Sequence, residues 1–168
     1  MSNQLPMVSK KNQWLYSQVD CEFPTKESLA GLKLYRDSVE KRSTIELDVK
    51  ALATEEVTME HYLVDFHRLT IMFAILQSKR WHCEADQALL IEFLTQIILS
   101  AEHDLYVSFV AGEPVGAAIV THRDEQLLLS DVVFNQHFEL PGLEVYLSAL
   151  IGKLTSEMQN VEKILIEI

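Results

Sequence analysis

The chain has 168 residues, which fits one ordinary domain, and it is 48% apolar and 23% charged, as soluble globular proteins are. Asp and Glu total 25 against 14 Lys and Arg, giving a formal net charge of −11. This balance argues against a nucleic-acid or anionic-membrane partner, because both require a positive surface. Two cysteines, Cys21 and Cys83, are too few for a disulfide framework, so we expect free thiols in a reducing cytoplasm.

No targeting or membrane segment is evident in the sequence. Lys10 and Lys11 follow a polar start, but no apolar leader region comes after them. The longest apolar stretch, at residues 71–76, is far shorter than the roughly 20 residues that span a bilayer. These features favour a cytoplasmic protein.

The N-terminal segment is predicted to be an appendage, residues 1–50, on a core formed by residues 51–168. Residues 1–12 are polar, and we expect them to be loose. A helix is predicted to open at Pro24 and Thr25, because apolar residues then fall near one helical face: Leu29, Leu32, Tyr35 and Val39. The alternation over Thr44–Val49 predicts a short strand.

Two helices are predicted next. Thr54, followed by Glu55 and Glu56, is a good helix start, and we expect that helix to run to about Ser78. The second helix spans about Glu84–Ser100. Its apolar residues follow the i, i+3, i+4, i+7, i+8 pattern: Leu90, Phe93, Leu94, Ile97 and Ile98.

The second half of the chain predicts an antiparallel meander. Strands are expected at Leu105–Ala111, Val115–His122 and Leu127–Phe134, joined by short turns. An amphipathic helix from Leu143 to Met158 and a final strand, Val161–Ile168, should then form a parallel crossover.

This order of elements resembles the GNAT acyltransferases, the Gcn5-related fold. The stretch Leu105–Val120, with the turn Gly-Glu-Pro-Val-Gly at residues 112–116, is similar to that family's second and third strands, and Leu129–Phe134 resembles its fourth. The resemblance implies an α+β fold with a mixed sheet flanked by helices. It also implies acetyl-CoA or another acyl-CoA as co-substrate, no metal, and a small-molecule or peptide amine as acceptor.

The resemblance also implies roles for particular residues. The pantetheine would pair with backbone at Val132, Val133 and Phe134, and Gly142 would approach the pyrophosphate. Asp131 would be the candidate base that takes a proton from the amine, and Glu167 a weaker candidate. The alternative for Asp131 is a partly exposed strand residue or a hydrogen-bonded anchor, and the alternative for Glu167 is a solvated strand acid near the terminus.

The pyrophosphate loop departs from the family pattern. Glu139 stands where a neutral or basic residue is expected, and Glu144 where a small one is. Each carboxylate would repel a phosphate by about 1 kcal/mol if solvated. Alternatively, both acids stabilise an empty helix N-terminus. The sequence therefore leaves two hypotheses: a divergent acyl-CoA N-acyltransferase with a degenerate loop, or a non-catalytic interaction module that retains the fold.

The family continues past its fifth strand with a helix and two strands, whereas this chain stops at Ile168 and looks C-terminally incomplete. The edge of Val161–Ile168 then needs cover, either from Thr44–Val49 or from a second subunit. We expect a homodimer through the terminal strand.

Other chemistry has weaker support in the sequence. His61 and His67 have the wrong spacing for shared metal ligation on a helix. The run Trp81-His82-Cys83 offers a thiol next to an imidazole, but adjacent side chains usually diverge, which favours a structural role.

Overall fold

The computed structural model describes residues 5–48, 58–135, 142–158 and 160–168. Its strands form one six-stranded sheet in the order β1-β6-β5-β4-β3-β2. The strands are β1 (Thr44–Glu46), β2 (Glu60–Leu63), β3 (His103–Val110), β4 (Glu113–Arg123), β5 (Gln126–Phe134) and β6 (Lys163–Glu167). Strands β5 and β6 are parallel, and the other neighbouring pairs are antiparallel.

Five α-helices flank this sheet in the described part of the chain. They are α1 (Pro6–Tyr16), α2 (Lys26–Val39), α3 (His67–Ser78), α4 (Glu84–Leu94) and α5 (Leu143–Glu157). None of these described helices is long and apolar enough to cross a membrane.

The sheet separates two apolar clusters. Helices α1 to α4 cover one face, where Leu15, Phe73 and Phe93 pack on Leu105 and Ile119. Helix α5, predicted as amphipathic, covers the other face, and its buried side chains pack on β5 and β6: Leu147, Leu150, Ile151 and Leu154. Both faces therefore bury apolar side chains, which is the main stabilisation of a sheet flanked by helices.

The sequence correctly predicts the meander, α2, α5 and β6. Helix α2 begins after Thr25, whose hydroxyl accepts a hydrogen bond from the backbone amide of Ser28, as expected for an N-cap. Gly31 lets α2 lie close to α4, since a Cβ on Gly31 would overlap the carbonyl oxygen of Leu89.

Three local predictions are wrong. Residues 6–12, expected to be loose, belong to α1 and bury Lys11 and Asn12. The helix expected from Thr54 is interrupted, because Glu60–Leu63 pairs with β3 as strand β2 and α3 begins only at His67. The residues around Thr54 lie outside the described residues.

The third error concerns the helix expected to run to Ser100. Helix α4 ends at Leu94, and Thr95 follows it as C-cap with its hydroxyl donating to the carbonyl of Ile91. Ile97 is buried beyond the helix end, whereas Ile98 is 76% exposed. The apolar spacing therefore extends past the last helical residue and predicts a helix that is too long.

Strand β1 covers the edge of β6. Ile45 pairs with Ile166, and Ser43 exchanges backbone hydrogen bonds with Ile168. Internal cover, one of the two alternatives from the sequence, is thereby confirmed, and this edge does not require a second subunit. The homodimer stays a prediction.

The predicted domain boundary at residue 50 lies outside the described residues. Helices α1 and α2 and strand β1, on its N-terminal side, pack in the same core and sheet as the rest of the chain.

Candidate functional site

Strand β5 carries a bulge at the point where its ladder with β6 ends. Ile119 of β4 pairs with Ser130, and Ala117 pairs with Val133, so Asp131 and Val132 together oppose one residue of β4. Asp131 has a φ of 53°, the left-handed conformation that re-aims a side chain at a bulge. In the described residues the parallel pairing stops at Leu129 and Ile166. Asp131, two residues later, and Glu167, one residue later, turn toward the helices α1 to α4.

Five charged side chains and one tyrosine meet at this bulge. We call this group the ion cluster, and its members are Lys11, Tyr35, Arg42, Arg80, Asp131 and Glu167. They come from α1, from α2 and the turn after it, from the end of α3, and from β5 and β6. No two of these residues are adjacent in the sequence, so only the tertiary fold brings them together.

Lys11 is the centre of the ion cluster. Its Nζ lies 2.8 Å from Glu167 Oε1, 3.1 Å from Asp131 Oδ2 and 3.1 Å from the hydroxyl of Tyr35. An ammonium group has three donors, so these contacts use all of them. The side chain of Lys11 is fully buried.

Arg42 bridges the two carboxylates. Its Nη1 lies 2.8 Å from Asp131 Oδ1 and 2.9 Å from Glu167 Oε1, and its Nη2 donates to Ser38 Oγ at 3.1 Å. The Nε–H of Arg42 is buried and has no acceptor among the residues that the structure describes. Arg42 lies in the turn after α2, and its backbone N–H donates to the carbonyl of Val39, which stabilises this turn.

Asp131 accepts more bonds than any other member of the ion cluster. Its Oδ1 also receives the Tyr35 hydroxyl at 2.7 Å and Nη1 of Arg80 at 3.2 Å, and Gln77 donates to its backbone carbonyl. Only 1% of Asp131 is exposed. Both carboxylate oxygens are therefore occupied by protein donors.

The charges within the ion cluster determine its protonation. Burial alone would raise the pKa of Asp131, but Arg42, Lys11 and Arg80 outweigh it and hold that pKa well below its usual range. Burial alone would lower the pKa of Lys11, and the charge of Asp131 raises it instead. Burial and Asp131 both raise the pKa of Tyr35, which stays protonated. At neutral pH the ion cluster thus contains three cations, two carboxylates and a neutral phenol.

This arrangement is chemically unfavourable for a general base. A useful base has a pKa near the working pH and a free lone pair aimed at the proton it takes. Asp131 has neither, and Glu167, at 4% exposure, shares Oε1 between Lys11 and Arg42. The geometry therefore favours the hydrogen-bonded anchor as the role of Asp131. The solvated acid expected as the alternative for Glu167 is wrong, because Glu167 is buried between Lys11 and Arg42.

Comparison with solved structures identifies the fold. A functionally unknown conserved protein from Staphylococcus epidermidis aligns with a TM-score of 0.54 and 12% sequence identity, over 80% of this chain and 55% of that chain. A GCN5-related N-acetyltransferase from Kribbella flavida aligns with a TM-score of 0.50 and 12% identity, over 80% of this chain and 53% of that chain. This chain has the GNAT fold.

The similarity has clear bounds. This chain spans little more than half the length of those two structures. An aminoglycoside N-acetyltransferase in complex with coenzyme A gives a TM-score of 0.41 and 14% identity, over 63% of this chain and 74% of that chain. No protein-family model and no curated protein matches the sequence. At these identities the GNAT fold is established and the activity is not.

The residues expected to line coenzyme A are separated by the pleat of β5 in this GNAT fold. Val133 packs on the face covered by α1 to α4, whereas Val132 and Phe134 pack on the α5 face. The ring of Phe134 stacks on Tyr146 with centroids 5.4 Å apart. Their assignment to pantetheine remains a prediction.

Gly142 directly precedes α5 and has a φ of 106°, a conformation that favours glycine. Glu144 is exposed in the first turn of α5, where a carboxylate interacts favourably with the helix N-terminus. Residues 136–141, which include Glu139, lie outside the described residues. The expected pyrophosphate loop is thus described only at its helical end.

The sequence analysis missed Lys11, Arg42 and Arg80. A signal was present for Lys11, because Met7, Val8 and Leu15 are one helical turn away on either side and lie on the buried face of α1. Arg42 and Arg80 follow helix ends with no such periodicity. Their role depends on Asp131, which is 89 and 51 residues away in the chain.

The remaining sequence candidates do not form a reactive group. His82 and Cys83 are both exposed. The Cζ atom of Arg80 lies 5.7 Å from the centroid of the Trp81 ring. His61 is on β2, with Nδ1 2.6 Å from Ser108 Oγ. Within the described residues no group of three or more His, Cys, Asp or Glu could hold a metal ion.

Proposed function

We propose that this chain is a GNAT-fold interaction module that does not transfer acyl groups at Asp131 or Glu167. One observation carries the proposal: the two carboxylates nearest the end of the β5–β6 ladder are buried partners of Lys11 and Arg42. A catalytic base in that position would have to exchange protons with a bound amine. Here both acids instead hold helix α1 and the turn after α2 against the sheet.

Energetics supports a structural use of these acids. Removing one partner from a buried ion pair typically costs about 3–5 kcal/mol, because the remaining charge is left uncompensated. Freeing Asp131 for catalysis would require the loss of contacts to Lys11, Arg42 and Arg80 together. Substrate binding would have to supply that free energy before any acceleration of the reaction began.

Acyl transfer is the second candidate, and the bulge favours it. The β5–β6 ladder ends two residues before Asp131 on β5, and the backbone of Val132–Phe134 beyond it is free of β6 in that ladder, which would leave it available to pair with pantetheine. In that case acetyl-CoA or another acyl-CoA would be the co-substrate, Gly142 would approach its pyrophosphate, and a small-molecule or peptide amine would be the acceptor. The attacking amine would then have to lose its proton without help from Asp131.

Titration of the whole chain with acetyl-CoA separates the two candidates. For a non-catalytic module we expect binding no tighter than the high micromolar range, near −5 kcal/mol, by calorimetry. We also expect no release of free thiol from acetyl-CoA above the rate without protein, over a panel of small amines and peptides. Low-micromolar binding with saturable thiol release would overturn the proposal.

A homodimer is proposed as a separate property of the module. Since β1 already covers β6, a dimer through the terminal strand would have to involve β1 or the end of β6. Sedimentation at high micromolar concentration gives the mass directly. A monomer there would reject the dimer, whereas a dimer that Ile45→Lys dissociates would support this interface, since Ile45 is 45% exposed on β1.

A further inference from the structure

The ion cluster does not balance its charges. Lys11, Arg42 and Arg80 supply three positive charges, whereas Asp131 and Glu167 supply two negative ones. Among the residues that the structure describes, no third carboxylate forms an ion pair with any of these three cations. A buried group of charges with a surplus is unfavourable, because the low dielectric strengthens repulsion and removes hydration.

The surplus can be located within the ion cluster. All three donors of Lys11 have acceptors, two of them carboxylate oxygens, so Lys11 offers no free donor to a further anion. Arg42 retains a buried Nε–H without an acceptor, although 95% of its side chain is removed from solvent. Arg80 shares Asp131 Oδ1 with Arg42 and is 24% exposed. The unused donor of Arg42 and the solvent-exposed part of Arg80 are therefore the points where the ion cluster can accept a further anion.

The surroundings of Arg80 hold its guanidinium in place. Nη1 of Arg80 also donates to Gln77 Oε1 at 3.3 Å. The amide Nε2 of Gln77 in turn donates to the backbone carbonyl of Asp131, which fixes the orientation of this side chain. The ring of Trp81 lies against the guanidinium. Burial and the positive charge of Arg42 lower the pKa of Arg80, so both oppose its positive charge. An anion would reverse that opposition.

We propose that Arg42 and Arg80 bind the carboxylate group of a small-molecule ligand, which becomes the third anion of the ion cluster. A carboxylate supplies one negative charge, which matches the surplus of one. A phosphate ester carries about 1.5 to 2 negative charges near neutral pH and would reverse the imbalance. Guanidinium groups also fit the planar carboxylate with paired hydrogen bonds. The inference holds whether or not the chain transfers acyl groups.

The experiment titrates the whole chain with sodium acetate while sodium chloride keeps the ionic strength constant, and it follows the melting temperature. A ligand that binds only the folded state raises that temperature in a saturable way. We expect a saturable rise with acetate and a smaller one with phosphate at equal ionic strength. An identical response to acetate and chloride would overturn the proposal.

Two variants test the assignment to Arg80. We expect Arg80→Gln to weaken acetate binding at least tenfold, and the exposed control Arg36→Gln, which leaves the ion cluster intact, to have no effect on binding. Without acetate, Arg80→Gln should melt no lower than the unmodified chain, because it removes the surplus charge. A purely structural Arg80 predicts the opposite, a lower melting temperature with unchanged acetate binding, and that result would reject the site.

Discussion

The two faces of the sheet are stabilised in different ways. Under α5 the buried contacts are mainly apolar, as between Leu150, Leu154 and Ile164, and the ion pair of Lys153 with Glu157 is partly exposed. The buried polar pair of His61 and Ser108 carries no ion pair. Under α1 to α4 the apolar cluster surrounds five buried or partly buried charges. Burial of apolar area is non-directional and tolerant of detail, whereas buried charges require every partner in position.

This difference indicates which face specifies the arrangement of the N-terminal elements. Helix α1 makes a modest apolar contact through Met7, Val8 and Leu15, and its Lys11 binds two strands that are 120 and 156 residues away. A shift of α1 by one residue would move Lys11 away from both carboxylates. The ion cluster therefore gives α1 a unique register, which an apolar face alone would define less sharply.

The largest effect is expected from removing the central cation. Lys11→Met keeps the length and apolar stem of the side chain but leaves Asp131 and Glu167 without their shared partner. We expect a loss of about 3–5 kcal/mol in the free energy of unfolding at pH 7, measured by denaturant titration. The control is Lys10→Met, at an exposed position next to it, which should change stability by less than about 0.5 kcal/mol.

The same variant has a pH signature. Asp131 has a depressed pKa in the folded state, so its stabilisation is present above its unfolded pKa of about 3.9 and is lost as the pH falls further. Without Lys11, protonation relieves the buried charge of Asp131 at a higher pH. The difference between Lys11→Met and the unmodified chain should therefore shrink below about pH 4, and a constant difference would contradict the ionic account.

A cavity on the apolar face should behave differently. Leu150 is fully buried in α5, and Leu150→Ala should cost about 2–5 kcal/mol because it removes apolar contacts and leaves a void. No titrating group is removed, so the loss should be the same at pH 7 and at pH 4. The exposed control Leu143→Ala, at the start of α5, should cost much less. A pH-dependent loss for Leu150→Ala would remove the contrast between the two faces.

The sequence predicted the apolar face better than the ionic one, for a physical reason. Leu147, Leu150 and Leu154 repeat with helical spacing, and strands β3 to β5 are local hairpins with turn residues between them. Periodicity of this kind is a property of neighbouring residues. It is visible without knowledge of the partners.

The ionic face depends on partners that are distant in the chain. Asp131 was noticed as an acid within an apolar strand, but the cations that neutralise it stand at positions 11, 42 and 80. Strand β2 was missed for the same reason, since Glu60–Leu63 has little pattern of its own and forms by pairing with β3. Burial of a polar residue becomes predictable only when its partner is known.

A smaller, pH-dependent effect is expected from the buried histidine near α5. Burial, with a further contribution from Lys153, lowers the pKa of His61 to about 4. Between pH 6.5 and 4 the unfolded chain therefore binds more protons than the folded one, so stability falls as the pH falls through this window. Allowing for its partial solvation, we expect a loss of about 1–2 kcal/mol between pH 7 and pH 4.5.

Replacement of this histidine isolates its contribution. His61→Asn should be less stable at pH 7, because it loses packing against Tyr146, but its stability should fall less between pH 7 and pH 4.5. The matched control is His67→Asn at the exposed start of α3, which should retain the full pH dependence. Equal slopes for both variants would show that other groups cause the loss in this window.

The smallest effect is expected at the N-terminus of α5. Glu144 lies exposed in the first turn of that helix, where the partial positive charge of the helix end stabilises a carboxylate. Glu144→Gln should therefore cost about 0.3–1 kcal/mol at low salt and less at 1 M salt, where the Debye length falls to about 3 Å. Glu162→Gln, an exposed acid outside any helix, should have no comparable effect. If Glu144→Gln instead leaves stability unchanged and tightens acetyl-CoA binding, the carboxylate repels a phosphate at this helix end and does not stabilise the empty helix. That outcome would favour the acyltransferase candidate, because it would show that the N-terminus of α5 binds phosphate even though Asp131 and Glu167 are held in the ion cluster.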